Sequence, residues 1–425
     1  MDQIVVRPGP PLEGTVRVGG AKNAALKLMA ATLLAEGDYR LRNVPAITDV
    51  ETMGEVLMCM GLDVTRIAPD ELAIHRGPDC GVEAPYELVE RMRASIVVLG
   101  PLLGRVGRAR VAMPGGDDFG SRPIDMHLAG LEQLGATIEV RHGYIEAWTD
   151  GLLGCRITLD FPSVGATENL LLAAVLAKGT TVIDNAAREP EIADLAAFLN
   201  RMGATILGAG TSTIEIEGVT ELRPADHMVI PDRVEAATFL AAVALARGEI
   251  TLEGARADHM GMFIQKLTDM GVWITPTSSG LWASAQGRPR SVDVATLPYP
   301  GIATDYKPFL VAVLSVADGV AIVTENLFAG RFKYVSELIR MGANIRTEGH
   351  HAVVRGVARL SGAPVRASDI RAGAAMVLAG LNAEGETVVA DAFHIDRGYD
   401  DLPAKLRQLG ADVTREGRTQ RASAP

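Results

Sequence analysis

Cysteine is scarce in this chain. The sequence has three, Cys59, Cys80 and Cys155. Their odd number and wide separation fit neither a disulfide framework nor a metal-ligand motif. We therefore predict no metal site and a protein of a reducing compartment, the cytoplasm.

A surplus of basic residues is also missing. The formal net charge is −11, whereas a nucleic-acid surface needs a basic stripe that releases counterions. The chain also has no apolar run near the roughly 18 residues of a membrane span, and its first residues lack the pattern of a signal peptide. We expect a soluble protein with no nucleic-acid or membrane partner, and the composition leaves the oligomeric state open.

Aromatic residues make up only 4% of the chain, which instead has 48% hydrophobic residues and 45 glycines.

An internal repeat is the main feature of the sequence. The pattern Leu-x-x-(Leu/Met)-Gly-x-x-(Ile/Val) occurs six times, with its glycine at positions 61, 135, 203, 271, 342 and 410. Each copy predicts the end of an amphipathic helix, a glycine just after it, and then a strand.

A second glycine recurs upstream, at positions 37, 107, 179, 248, 319 and 385. The segments before it are rich in alanine and apolar nearly all round, which indicates helices buried on every side. Each repeat therefore predicts a buried helix, a strand, a half-buried helix and a β-hairpin. The fold class is α/β, with six such repeats.

The sixth repeat is incomplete, because its last strand, ADVTREG (411–417), has no following partner. The segments IVVRPG (4–9) and GTVRVGG (14–20) can supply the missing strands. We infer two domains of three repeats, residues 22–229 and residues 230–425 with 1–21. The polar tail 418–425 is predicted to be disordered. The alternative is an open solenoid of six stacked repeats.

Polar residues mark the starts of the buried helices. Fourteen residues before each second glycine stand Asn23, Arg93, Gly165, Val234, Asp305 and Arg371, and within two residues of these lie Lys22, Ser163, Asp232, Arg233, Thr304 and Asp369. Helix capping explains the Ser, Thr and Asp residues. It does not explain the lysine and arginines, because a cation at a helix N-terminus opposes the helix dipole. If these helix starts face one cleft, the cleft suits a multiply anionic small substrate.

The segment 114–135, PGGDDFGSRPIDMHLAGLEQLG, predicts an anion-binding loop. It contains two adjacent glycines, then Asp117, and then Arg122 directly before Pro123. Proline suits the first position of a helix, whose free N–H groups together with a guanidinium favour a phosphate or carboxylate. Arg397 occupies the matching position of repeat six, at the predicted start of its second helix. The alternative is an ordinary capped surface helix.

These motifs resemble the enolpyruvyl transferase family and, within it, the UDP-N-acetylglucosamine 1-carboxyvinyltransferases. The segments that carry the resemblance are GGAKNAALKLMAATLLAEG, MRASIVVLGPLLGR, PGGDDFGSRPIDMHLAGLEQLGA, DFPSVGATEN, NAAREPEI, PDRVEAATFL, SDIRAGAAMVLAG and HIDRGY. The resemblance implies two inside-out α/β domains with threefold internal symmetry. It also implies transfer of enolpyruvate from phosphoenolpyruvate to the 3′-hydroxyl of UDP-N-acetylglucosamine, the first committed step of peptidoglycan synthesis, with no metal or organic cofactor.

The resemblance also implies roles for the residues at these motifs. Lys22, Arg122 and Arg397 would hold the phosphate and carboxylate of phosphoenolpyruvate, with Arg93 and Arg371 nearby. Asn23, Thr304 and Asp305 would face the acceptor sugar, and Asp305 would take or orient the proton of its hydroxyl. The uridine and diphosphate would be cradled by Arg122, Pro123, Ile124, Asp125, Met126, Ser163, Val164 and Gly165. Asp232, Arg233, Leu327, Phe328 and Asp369 are further candidate substrate contacts.

Asp117 stands where the family commonly has a cysteine that fosfomycin alkylates. A carboxylate is a poorer partner for that epoxide, so the resemblance implies a fosfomycin-resistant enzyme in which Asp117 still supplies a proton. Further departures flank the predicted sugar-facing residues, at Ala303, Tyr306, Lys307, Ala329 and Gly330. They keep open a transferase for another uridine nucleotide, and a catalytically silent paralogue is a further alternative. The 5-enolpyruvylshikimate-3-phosphate synthases and the RNA 3′-terminal phosphate cyclases match the motifs less well.

Overall fold

The computed structural model describes residues 2–115, 124–328 and 330–417. These residues form two compact units. The internal unit comprises 20–115 and 124–230, and the terminal unit, which carries both ends of the chain, comprises 2–19 and 231–417. The predicted site residues Asp117, Arg122 and Pro123, the neighbouring Ala329 and the tail 418–425 lie outside the described residues.

The chain begins with two strands of the terminal unit and then builds the internal unit. The first two strands are β1 (Gln3–Arg7) and β2 (Leu12–Arg17). The strands of the internal unit are β3 (Gly37–Arg42), β4 (Leu62–Ala68), β5 (Glu71–Arg76), β6 (Glu83–Ala84), β7 (Arg108–Ala112), β8 (Thr137–Arg141), β9 (Tyr144–Trp148), β10 (Arg156–Thr158), β11 (Thr180–Asp184), β12 (Thr205–Leu207), β13 (Thr213–Glu217) and β14 (His227–Met228). Its helices are α1 (Lys22–Ala31), α2 (Thr48–Cys59), α3 (Tyr86–Val89), α4 (Leu99–Val106), α5 (Asp125–Gln133), α6 (Val164–Ala174) and α7 (Pro190–Arg201), with 3₁₀ segments at Thr32–Leu34 and Arg93–Val98.

The rest of the chain completes the terminal unit. Its further strands are β15 (Gly248–Glu253), β16 (Trp273–Pro276), β17 (Gly280–Ala285), β18 (Val294–Ala295), β19 (Val320–Thr324), β20 (Asn344–Glu348), β21 (His351–Arg355), β22 (Leu360–Ser361), β23 (Pro364–Arg366), β24 (Ala383–Glu384), β25 (Thr387–Ala390) and β26 (Asp412–Glu416). Its helices are α8 (Arg233–Ala246), α9 (Gly261–Asp269), α10 (Lys307–Val316), α11 (Val335–Arg340), α12 (Ile370–Gly380), α13 (Phe393–Asp396) and α14 (Leu402–Gln408), with a 3₁₀ segment at Ala257–His259.

Each repeat builds a four-stranded sheet of the same design in the described part of the chain. In the order β10-β11-β13-β12 of repeat three, the edge strand β10 is parallel to β11, and β13 is antiparallel to both of its neighbours. Ile183 faces Ile214 across the β11–β13 pair, and both are fully buried. Because alternate residues of a strand point to the same face, one face of the sheet is apolar and covers the helices.

The N-terminal strands fill the open positions of two sheets. β1 lies between β25 and β26, antiparallel to both, and so replaces the hairpin strand that repeat six lacks. The expectation that GTVRVGG also belongs to repeat six is wrong, because β2 runs parallel to β15 at the edge of the repeat-four sheet. The strand before α8, β14, runs parallel to β3 of repeat one instead. The strand before α1, β2, therefore joins the repeat-four sheet. The strand before α8, β14, joins the repeat-one sheet.

The repeat glycines end their helices as predicted. Those at positions 61, 135, 203, 271, 342 and 410 have φ between +87° and +107°, a region in which a Cβ is costly. The residue after the glycine then donates its N–H to the carbonyl five positions back, as Ala136 does to Leu131 and Ala204 to Leu199. This bonding pattern satisfies the last carbonyls of the helix and turns the chain into the next strand.

The first helices of the repeats form the core, as their alanine-rich sequences predict. Every residue of α10 and of α12 is buried, and α8, α10 and α12 pack against one another. In the internal unit α6 packs against α4 and α5, where a Cβ on Gly130 would lie 2.6 Å from the Leu170 side chain. Small residues thus let these helices approach closely, and the predicted site residues lie in their first turns or in the segments that lead into them.

Three predicted helix starts are shifted. The helix expected to begin at Pro123, α5, begins at Asp125. α10 begins at Lys307, two residues after Asp305, with Pro308 in its first turn, because the fixed φ of proline suits that position. The prediction that Arg397 starts the second helix of repeat six is wrong: Arg397 ends α13. The helix α14 begins later because Asp401, at φ +49°, caps it by accepting a hydrogen bond from the Ala404 N–H.

Candidate active site

Two guanidinium groups hold the carboxylate of Asp305 in the terminal unit. Arg331 Nη1 donates to Asp305 Oδ1 at 2.7 Å, and Arg371 Nε donates to Oδ2 at 3.3 Å. Arg371 lies in the first turn of α12, so this contact brings the starts of α10 and α12 side by side. The Asp305 side chain is 28% exposed, whereas the two arginines are almost fully buried. The carboxylate is therefore the part of this cluster that a ligand can reach.

The neighbouring predicted residues surround this cluster with further charges. Asp369 caps α12 by accepting from the N–H groups of Arg371 and Ala372, and Asp232 caps α8 in the same way. Arg233 Nη1 donates to the hydroxyl of Tyr306 at 3.1 Å. Burial disfavours the charge of Arg371, but the Tyr399 hydroxyl and then the Asp305 and Asp232 carboxylates outweigh burial and raise its pKa. The cation thus stays protonated inside the fold.

Glu325 organises the segment around Thr304. Its Oε2 accepts from the Thr304 hydroxyl at 2.8 Å, and its Oε1 accepts from the backbone N–H groups of Leu327 and Phe328 at 2.8 and 3.1 Å. Arg331 Nη1 also donates to Thr304 Oγ1 at 3.1 Å. The structure therefore joins Thr304, Leu327 and Phe328 to the Asp305 cluster through Glu325 and Arg331, two residues that sequence reasoning missed.

In the internal unit, Lys22 is held by a buried ion pair. Its Nζ lies 2.7 Å from Oδ2 of Asp49, in the first turn of α2, and the two side chains are 10% and 3% exposed. Asp49 was not predicted from the sequence, since it stands at the start of a second helix and looks like an ordinary first-turn carboxylate. The pair fixes the ammonium at the start of α1, next to Asn23.

A second cluster of the internal unit contains Arg93, His127 and Gly165. Burial and the Arg93 charge lower the pKa of His127 to about 4, so this imidazole is neutral at pH 7. A Cβ on Gly165 would lie 3.0 Å from His127 Cε1, so the glycine permits close contact between α6 and the ring. Burial also lowers the pKa of Arg93. His127 therefore interacts with both Arg93 and Gly165, two predicted residues. No sequence pattern beyond its place on α5 indicated a role for it.

The starts of α5 and α6 carry the other predicted contacts. Ser163 caps α6 by accepting from the Ala166 N–H at 3.3 Å, and Val164 is the first residue of that helix. Asp125 and Met126 begin α5, directly after Ile124. The free N–H groups and positive end of an eleven-residue helix such as α6 suit a phosphate group.

Glu168 on α6 predicts a pH-dependent stability. It is fully buried, and burial raises its pKa to about 7 although the Lys27 ammonium lies 3.3 Å from Oε2 and opposes the shift. Because the folded pKa is above the ordinary 4.5, the folded chain binds more protons than the unfolded chain between these two values. Stability therefore falls as pH rises through this window.

Glu168→Gln cannot ionise and is expected to remove this fall. The slope of the unfolding free energy against pH should change by up to about 1.4 kcal/mol per pH unit. Urea unfolding followed by circular dichroism from pH 5 to 8 measures that slope. Glu217→Gln, on the exposed side of β13, is the matched control and should keep the slope of the unsubstituted chain. An unchanged slope in Glu168→Gln would contradict this prediction.

Among residues 2–115, 124–328 and 330–417, no group of three or more His, Cys, Asp or Glu side chains is placed to hold a metal ion. In the same ranges no helix combines the length and apolar character that crossing a membrane requires. A cavity of about 830 Å³ is lined mainly by residues of β2, β15 and β17, such as Trp282, and by no residue of the Asp305 cluster.

Comparisons with known proteins agree with the fold and the motifs. The EPSP synthase family (3-phosphoshikimate 1-carboxyvinyltransferase) matches residues 6–406. The chain is 52% identical over 421 residues to the UDP-N-acetylglucosamine 1-carboxyvinyltransferase of Mycolicibacterium paratuberculosis, covering 97% of this chain and 99% of that relative. It is 50% identical over 414 residues to the UDP-N-acetylglucosamine 1-carboxyvinyltransferase 1 of Caldanaerobacter subterraneus subsp. tengcongensis, with the same shares of each chain.

Solved structures show the same architecture. The crystal structure of the enolpyruvyl transferase NikO from Streptomyces tendae superposes with a TM-score of 0.88 at 26% identity, covering 97% of this chain and 98% of that one. The EPSP synthase from Acinetobacter baumannii, at 19% identity and a TM-score of 0.74 over 97% and 99% of the two chains, shares the fold. The predicted fold class is confirmed, and the chain belongs to the EPSP synthase family and, within it, to the UDP-N-acetylglucosamine 1-carboxyvinyltransferases.

Proposed function

We propose that this chain transfers enolpyruvate from phosphoenolpyruvate to the 3′-hydroxyl of UDP-N-acetylglucosamine and releases phosphate. The observation that carries the proposal is the 52% identity, over 97% of the chain, to transferases named for this acceptor. The reaction opens peptidoglycan synthesis. The three free thiols of Cys59, Cys80 and Cys155 support a cytoplasmic location.

For the donor we propose that Lys22, Arg122 and Arg397 bind the phosphate and carboxylate of phosphoenolpyruvate, with Arg93 and Arg371 nearby. Arg122 lies outside the described residues. The buried Lys22–Asp49 pair supports this role because it fixes an ammonium group at the start of α1, where the group can also contact an anionic ligand. These cations would also balance the charge that develops as phosphate leaves.

For the acceptor we propose that Asn23, Thr304 and Asp305 face the sugar. The 3′-oxygen forms a bond to C2 of phosphoenolpyruvate while C3 gains a proton, which gives a tetrahedral intermediate. Loss of a C3 proton and cleavage of the C2–O bond to phosphate then restore the double bond. The exposed part of the Asp305 carboxylate takes or orients the hydroxyl proton in the first step.

For the nucleotide we propose contacts with residues 122–126 and with Ser163, Val164 and Gly165. The N-terminus of α6, capped by Ser163, supports a diphosphate site at this position. Asp232, Arg233, Leu327, Phe328 and Asp369 belong to the cluster around Asp305 and are proposed as further substrate contacts. No step of this reaction calls for a metal or an organic cofactor.

A phosphate-release assay with phosphoenolpyruvate and a panel of acceptors tests the function. We expect turnover with UDP-N-acetylglucosamine, and a kcat/KM for UDP-glucose and for shikimate 3-phosphate that is lower by at least about 100-fold, because a site built to hydrogen-bond a group rejects analogues that lack it. A higher kcat/KM with another uridine nucleotide would refute the proposed acceptor. Turnover of shikimate 3-phosphate alone would refute the uridine nucleotide site.

We further propose that Asp117 makes the enzyme resistant to fosfomycin. The residue lies outside the described ranges, so this proposal depends on the chemistry of the side chain. A carboxylate is a much weaker nucleophile than a thiolate toward the fosfomycin epoxide, which the family's loop cysteine opens.

A further inference from the structure

Lys307, the first residue of α10, is a buried cation with three kinds of contact. Its side chain is fully buried, and its Nζ lies 2.7 Å from Oε2 of Glu325, which is also fully buried. The same Nζ donates to the backbone carbonyl of Arg331 at 2.6 Å and stands 3.9 Å from the ring centre of Phe332. A cation at a helix start opposes the helix dipole, so its burial at this place is costly unless its contacts compensate.

Both partners of Lys307 lead towards Asp305. Glu325 accepts hydrogen bonds from Thr304, the residue directly before Asp305, and from Thr296 at 2.7 Å. Arg331, whose carbonyl accepts from Lys307, directs its guanidinium to Asp305 at 2.7 Å. The ammonium of Lys307 therefore joins the segment before α10 to the segment that carries the arginine.

We propose that Lys307 is a positioning residue for the transfer reaction, which fixes the Arg331 guanidinium and through it the Asp305 carboxylate. This inference rests on the proposed role of Asp305. The chain of contacts from Lys307 to the carboxylate is short: Nζ to the Arg331 carbonyl, and the Arg331 side chain to Oδ1. Displacement of a reacting group by about 1 Å can cost on the order of 100-fold in rate, so a rigid hold on Arg331 matters for catalysis.

The competing explanation is that Lys307 only neutralises Glu325. A buried ion pair can often be replaced as a whole by uncharged residues without loss of stability, whereas removing one partner leaves a buried charge and is strongly destabilising. The double variant Lys307→Met with Glu325→Gln removes both charges at once. A purely structural role predicts that this double variant folds and works normally, whereas a positioning role predicts that it folds and works poorly.

The experiment measures kcat and the KM for phosphoenolpyruvate by phosphate release, alongside thermal unfolding. We expect the double variant to unfold within a few degrees of the unsubstituted chain, with kcat lower by at least about tenfold and KM changed less than about threefold. Lys178→Met, an exposed lysine of the internal unit, is the control for loss of a lysine charge and should keep kcat. A stable double variant with kcat within twofold of the unsubstituted chain would overturn the proposal.

A double-mutant cycle separates action through Asp305 from a general effect. If Lys307 acts through Asp305, Lys307→Met with Glu325→Gln should lower kcat by less than about twofold in an Asp305→Asn background, because residues acting in one chain are not additive. An undiminished tenfold loss in that background would refute the chain of contacts. If the unsubstituted chain prefers another uridine nucleotide, the proposed acceptor fails and the same cycle is measured with that nucleotide. No turnover with any acceptor would refute both proposals.

The pH profile provides a second readout. Burial lowers the pKa of Lys307 to about 8, although the Glu325 carboxylate opposes the shift. The charged groups that face it are Glu325, Arg331 and Asp369, and the ring centre of the titratable Tyr334 lies 6.0 Å from its Nζ. We expect kcat to fall above about pH 8 as the ammonium loses its proton, and Lys307→Arg, which stays protonated, to move this fall to higher pH. An identical alkaline limb in the arginine variant would count against the proposal.

Discussion

Asp305→Asn is expected to lower kcat by about 100- to 10,000-fold, the range typical of losing a general base, with the KM for phosphoenolpyruvate changed less than about threefold. The asparagine keeps the size of the side chain and one oxygen that can accept from Arg331. It removes the negative charge that faces the acceptor hydroxyl, and it leaves two buried guanidinium groups with one fewer counter-charge. The loss therefore appears in the chemical step.

Phosphate release measures the loss of kcat in this variant. Calorimetry measures whether the variant still binds UDP-N-acetylglucosamine. Asp258→Asn is the matched control: Asp258 pairs with one exposed arginine, Arg256, and its own side chain is 63% exposed. We expect that variant to keep kcat, because exposed ion pairs contribute little. An Asp305→Asn enzyme with kcat within threefold of the unsubstituted chain would show that the carboxylate is neither the base nor the group that orients the hydroxyl.

The periodic features of the chain were predictable from the sequence. The repeat glycines located the ends of the helices, because the αL position after a helix selects glycine strongly. The alanine-rich segments located the buried helices, and the incomplete sixth repeat pointed to β1. That β2 joins the repeat-four sheet and β14 the repeat-one sheet was not predictable. Both strands lie at the edge of a sheet, and their short sequences do not specify which sheet they join.

The candidate site was predictable from residues that share one position in the repeat and, among them, from those that break the rules of helix ends. Cations are unfavourable at a helix start because they oppose the helix dipole. This rule distinguishes Lys22, Arg93, Arg233 and Arg371 from ordinary helix caps. Arg331 and Glu325 gave no such signal, because they lie in an irregular segment and reach Asp305 and Thr304 through contacts 26 and 21 residues apart in sequence. Long-range pairing of this kind is set by tertiary packing and leaves no periodic pattern in the sequence.

We proposed above that the side chain at position 117 sets the response to fosfomycin. Inactivation of the family's loop cysteine begins when the thiolate attacks an epoxide carbon: a C–S bond forms, the C–O bond breaks, and the resulting alkoxide takes a proton. A thiolate is a strong nucleophile toward such a carbon, and a carboxylate is a weak one. A single substitution that restores the thiol should therefore restore the inactivation, while leaving the rest of the binding machinery in place.

Asp117→Cys is accordingly expected to be inactivated by fosfomycin with a second-order rate constant at least roughly 100-fold above that of the unsubstituted chain. Residual phosphate release after timed exposure measures the rate, and intact-mass spectrometry should show one added inhibitor molecule on the variant alone. Asp118→Cys places the same thiol one residue away and controls for non-specific alkylation; it should stay active. Equal inactivation of the unsubstituted chain and Asp117→Cys would mean that another group opens the epoxide, and Asp117 would then have no part in resistance.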